Sequence, residues 1–83
     1  MELPAQPVTL SVEQIAELNQ KLANLRHDVN NNLSLIIAAT EVLEHKPQLM
    51  ERMRATVAEQ PPKIAAAVAK FSAEFENLLG IKR

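Results

Sequence analysis

Cysteine is absent from the 83 residues, which excludes disulfides and any thiolate metal centre. Tryptophan and tyrosine are absent as well, and two phenylalanines are the only aromatics, so a core has to be built from aliphatic side chains without large ring anchors. A single glycine leaves little material for β-turns and none for a glycine-rich phosphate loop. Charge of one sign is lacking too. Nine Lys and Arg against ten Asp and Glu give a formal net charge of −1, which offers no bulk basic field for nucleic acid. No apolar run approaches the roughly 18 residues of a membrane span, and the acidic Met1-Glu2 start lacks the basic n-region of a signal peptide. A cytoplasmic protein with neither nucleic acid nor membrane as partner is expected.

What is present favours helix. The chain is 47% hydrophobic and rich in Ala, Leu, Glu and Lys, all good helix formers. Its length allows one small domain that buries only about 60% of its unfolded surface, so self-association is the expected source of extra stability. Residues 1–10 contain Pro4 and Pro7 and form an extended lead-in, because each ring removes a donor and biases its predecessor away from helix. Ser11 can cap a helix, with Gln14 three residues on to complete a capping box and Glu13 favouring the positive helix end. From there Ile15, Leu18, Leu22, Leu25, Val29, Asn32, Ile36, Ala39 and Leu43 follow a 3,4 spacing. A first helix over about 12–44 follows, then a tight turn at 45–47 where Pro47 stops it and the basic His45 and Lys46 suit the negative helix end.

A second helix over about 48–79 rests on Met50, Val57, Ile64, Phe71 and Leu78 at seven-residue intervals, with Met53, Ala67 or Val68, and Phe75 between them, and Gly80 ends it. Pro61-Pro62 interrupt the donors but not the phase. A helix kinked at 61–62 is expected, with two helices at an angle as the alternative. Residues 81–83 form a tail in which Lys82 and Arg83 are solvated. Two helices of this length joined by a short turn must run antiparallel. Pairing about Lys46 places Leu79 beside Glu13 and the prolines level with Asn30 and Asn31. The predicted fold is all-α, a long antiparallel hairpin over 11–80. After Asn32, Leu33, Leu35, Ile36 and Ile37 spread apolar surface around more than half of the first helix, more than one partner helix covers. Two copies should therefore form a four-helix bundle with Leu33, Ile36 and Leu43 in the dimer core. Met50 and Met53 read as core filler, and Glu17 with Lys21 as an i,i+4 ion pair.

With Ile15 at heptad position a, the outward f positions hold Glu13, Gln20, His27, Ser34 and Glu41. His27 is thus expected to be exposed, with Asn31 one turn away, and it has no second ligand at i+4 to make a metal site. The run Arg26-His27-Asp28-Val29-Asn30-Asn31-Asn32-Leu33 places three Asn in mid-helix, which is costly because short amides compete with the backbone. A purely structural helix would not choose them.

This run resembles the H-box of the dimerisation and histidine-phosphotransfer domain of two-component sensor histidine kinases, whose variants include His-Asp-x-Asn-Asn. Ala69-Lys70-Phe71-Ser72 is similar to a pattern near the end of that domain's second helix, and the likeness covers about residues 12–80. The resemblance implies a dimeric hairpin with His27 as phosphoacceptor, Asp28 bonded to the imidazole and assisting proton removal, and Asn31 positioning water or the phosphoryl group. The implied partner is a response-regulator receiver domain, which would bring its own Mg2+, or a histidine kinase, meeting the face that carries Asn30, Ser34, Ile37 and Glu41. No cofactor or metal of the chain's own is implied. Asn32 stands where the family often has Pro, and no ATP-binding domain is present. The chain therefore reads as a phosphotransferase acting through a phosphohistidine and not as an autonomous kinase. A non-catalytic docking dimer and a phosphatase-like regulator acting through Asn31 remain as alternatives.

Overall fold

The computed structural model describes residues 3–80. Met1-Glu2 and the expected tail at Lys82 and Arg83 lie outside the described residues. Helix α1 spans Val12–His45 and starts where the capping box places it. The Ser11 hydroxyl accepts from the Gln14 N–H at 3.0 Å, while the Gln14 side-chain oxygen accepts from the Ser11 N–H at 2.8 Å, so two donors that begin every helix unpaired are satisfied reciprocally. Glu13 lies in the first turn and His45 in the last, each at the end its charge favours.

The connection is longer than the expected turn at 45–47. Lys46 leaves helical geometry with its N–H on the Val42 carbonyl at 2.7 Å, and a single 3-10 turn, Pro47–Leu49, follows before helix α2, Met50–Leu79. Proline suits the first position of such a turn because its missing donor would have been unpaired there. Gly80 closes α2 in the left-handed region at φ 70°, with its N–H directed at the Asn77 and Glu76 carbonyls. Only glycine adopts that conformation without strain.

The added turn residues shift the register by three positions. Lys21 meets Glu74 at 2.9 Å, and the same register puts Asn32 level with Lys63 and Asp28 level with Ala67. Leu79 therefore lies level with Ala16 and not beside Glu13, and Pro61-Pro62 lie level with Ser34 and Leu33 instead of Asn31 and Asn30. The helix continues without interruption through both prolines, so the alternative of two separate helices is not what forms. Their rings deprive the Val57 and Ala58 carbonyls of helical donors. Just before them the Gln60 side-chain amide donates to the Thr56 carbonyl at 2.8 Å.

The hairpin measures 58 × 25 × 12 Å, and its thin dimension equals about one helix diameter. It is a flat two-helix layer. Among the described residues Ala39 is the one buried hydrophobic residue, whereas Asn32, Gln60 and Glu76 are buried polar or charged ones. Of the expected dimer-core residues, Ile36 and Leu43 are half-buried and Leu33 is exposed. Among the described residues no helix is long and apolar enough to cross a membrane.

Candidate functional site

The polar run sits in the middle of α1, and helical geometry distributes it over three directions. Successive side chains diverge by about 100°, so His27 cannot share a face with Asp28, whereas Asp28 and Asn32, four apart, lie on nearly the same one. His27 is exposed, as its f position predicts. Asp28 and Asn31, also exposed, turn toward α2 and line a cleft of about 360 Å3 between the helices. Asn32 points furthest inward. It is 8% exposed and its amide donates to the Asp28 carbonyl at 2.9 Å, so this asparagine satisfies its own donor locally by bonding back one turn.

The expected hydrogen bond between Asp28 and His27 is corrected by this geometry. Neither side chain makes one among the described residues, because Asp28 faces the cleft while His27 stands outside it. Asn31 and Asp28 are brought together; His27 is their neighbour along the helix and not across the cleft. Asn30, Ser34 and Ile37 are exposed, and Asn30 and Ser34, three and seven residues on from His27, share its side of the helix. Glu41 lies apart from the cleft, in a separate open groove of about 900 Å3 at the turn end that it shares with His45 and Arg52.

Across the cleft from Asp28 and Asn31, α2 contributes Lys63, Ala66, Ala67 and Lys70. The two lysines escape a reading of α2 alone because both lie off its apolar repeat. Their spacing of seven is visible in the sequence, but only the register places them opposite Asp28. Toward the N-terminal end of α1, Lys21 does not pair with Glu17 as expected but reaches across to Glu74 at 2.9 Å. The hydrogen bond and charge of Glu74, with a smaller contribution from Glu17, raise the Lys21 pKa above its ordinary 10.5 against the opposing effect of burial. Among the described residues no group of three His, Asp or Glu side chains is placed to hold a metal ion. Comparison with family models, curated proteins and solved structures finds no match for this chain.

Proposed function

We propose that two copies of this hairpin pack through their apolar faces into a four-helix bundle and exchange a phosphoryl group with a response-regulator receiver domain through His27. The observation that carries this reading is the exposed imidazole of His27 on a long helix, flanked along that helix by Asp28 and Asn31 at the mouth of an interhelical cleft. A neutral imidazole is a competent nucleophile. Its free ring nitrogen attacks the phosphorus of an aspartyl phosphate, the phosphorus–oxygen bond to the aspartate breaks, and the aspartate leaves as a carboxylate. The proton on the other ring nitrogen passes to water, or to Asp28 once its carboxylate rotates from the cleft toward the imidazole. In-line positioning and charge neutralisation dominate such transfers, and Mg2+ on the receiver would supply the second. Asn31, one turn from His27 and without a hydrogen-bond partner among the described residues, is free to orient the phosphoryl group or a water.

Mixing the protein with a phosphorylated receiver domain and Mg2+ tests this directly. Acid-labile, base-stable label should appear on His27, none should come from ATP alone, and His27→Gln should abolish it with the helical content intact. Asp28→Asn should slow transfer without preventing docking. Label at His45 would refute the site. One observation favours a second reading, a docking dimer that binds without being phosphorylated: Asp28 does not bond the imidazole. Equal receiver binding by the wild type and His27→Gln, with no label on either, would select it.

A further inference from the structure

We propose that the hairpin carries a hinge where residues 56–63 of α2 lie against residues 32–40 of α1, and that the turn end swings about it relative to the half that bears His27. The hinge goes beyond the phosphotransfer reading and holds whether or not His27 accepts a phosphoryl group. Its first basis is the backbone. Pro61 and Pro62 lie inside α2 and leave the Val57 and Ala58 carbonyls without helical donors. Side chains compete for four further carbonyls. The Asn32 amide donates to Asp28 at 2.9 Å, the Thr40 hydroxyl to Ile36 at 2.9 Å, the Thr56 hydroxyl to Arg52 at 3.2 Å and the Gln60 amide to Thr56 at 2.8 Å. Each takes part of a carbonyl that the helix backbone also uses, which weakens and bends a helix. Among the described residues, all the side chains that bond back in this way lie in these two stretches.

The register stacks the two weakened stretches in one cross-section. Asn32 is level with Lys63, and Thr40 with Ala55 beside Thr56. The seam between them is small and polar, made by the buried Ala39, Asn32 and Gln60. No hydrogen bond or ion pair among the described residues joins the helices in this section. The oxygen of Gln60 is buried without a partner. That cost exists only while the helices stay closed, and an opening that admits water removes it.

Both ends of the hairpin are held more firmly. Toward the start of α1, Lys21 bridges to Glu74 at 2.9 Å, and Phe71 and Phe75 lie half-buried with their rings 6.0 Å apart. At the other end the Pro47–Leu49 turn ties the helices covalently, and the Lys46 N–H holds the Val42 carbonyl. Bending therefore concentrates between two firm arms, as in domain hinges where a few residues absorb the change. His27 belongs to the first arm, whereas the groove of Glu41, His45 and Arg52 belongs to the second. A ligand that touches both arms selects one hinge angle.

Residue-level hydrogen exchange on the full chain tests the hinge. Amides at 57–60, 63–66 and 33–39 are expected to exchange at least tenfold faster than those at 15–25 and 70–76. Pro61→Ala with Pro62→Ala restores two donors and should slow the hinge amides at least tenfold while leaving 15–25 and 70–76 unchanged. Gln60→Leu, which removes the orphaned oxygen and keeps the prolines, should slow the same amides. Because the chain has no cysteine, spin labels at Ala23→Cys and Glu44→Cys report the angle between the arms when labelled chain is diluted into unlabelled chain. The wild type should give a broad spread of distances and the proline variant a narrow one. Equal exchange in the hinge and the His27 arm would overturn the proposal, as would substitutions that slow both equally. The same narrow distance in wild type and proline variant would overturn it too.

Discussion

Among the described residues those withdrawn from water are Asn32, Ala39, Gln60 and Glu76, whereas Ile15, Leu33, Ile37, Met50 and Val68 remain exposed. A protein that works as a monomer has the opposite distribution, since burial of apolar area at about 25 cal/mol per Å2 is its main source of stability. The inner seam is narrow and partly polar because the apolar stripe of each helix is wider than one neighbour can cover. α2 shows this well. Val57, Ile64, Phe71 and Leu78 are half-buried on the edge of the seam, while Gln60, level with α1, takes the centre. What the contrast teaches is that the contact between the two helices uses only part of their apolar surface, so an exposed apolar face remains on the hairpin that the proposed second copy would cover.

The strongest way to break that comparison is to charge the outer face. Leu33→Asp is expected to cost about 3 to 5 kcal/mol, the scale of an unpaired charge buried in an assembly, seen as a lower melting temperature and a shift from dimer to monomer in sedimentation equilibrium. An unchanged melting curve would show that the outer face is not an interface. The inner face should respond with the opposite sign. The Gln60 side chain is 1% exposed and its oxygen has no hydrogen-bond partner, and an unsatisfied buried polar group costs about 1 to 3 kcal/mol. Gln60→Leu should therefore raise stability by about 1 kcal/mol or more in denaturant titration; a loss would mean that water satisfies the oxygen in solution.

Smaller effects separate the polar run from both faces. Asn30 and Asn31 are exposed, unlike Asn32, so Asn30→Ala with Asn31→Ala should gain some tenths of a kcal/mol each, the difference in helix propensity, while impairing transfer if Asn31 has its proposed role. The same exchange at Asn32 should not be neutral, because its amide is committed to the Asp28 carbonyl. Smallest is the pH effect of the cross-helix pair. The Lys21 pKa is raised in the fold, so its contribution is complete below the unfolded value and is lost as pH rises through the folded one. The difference in melting temperature between wild type and Lys21→Met should be constant through neutral pH and shrink only above 10.5; a change near neutrality would point to another group.

Much of the hairpin was legible because its signals are local. Ser11 with Gln14, and Gly80, mark helix ends through hydrogen bonds and backbone angles that depend on a few adjacent residues, and both ends fall where those residues place them. Continuation of α2 through Pro61-Pro62 was legible from the unbroken seven-residue phase across them. The register was not, since it depends on how many residues the connection consumes, and Lys46 through Leu49 form a longer turn than proline alone announces. Nor was Gln60, whose polar side chain says exposed while its place on the seam makes it buried.

For the candidate site the division runs between residues on one helix and residues on two. Periodicity by itself put His27 outward and Asn31 one turn away, because angles around a single helix are fixed by 3.6 residues per turn. The same angles, with α2 in place, turned Asp28 away from the imidazole and toward the cleft, a fact that needs the position of the second helix to be seen. The sequence alone therefore determined an all-helical hairpin and an exposed histidine, both consequences of local geometry. The tertiary structure alone decided that Lys21 pairs with Glu74, that Lys63 and Lys70 stand opposite Asp28, and that the inner seam is partly polar, because each of these depends on the offset between two helices that no spacing within either one contains.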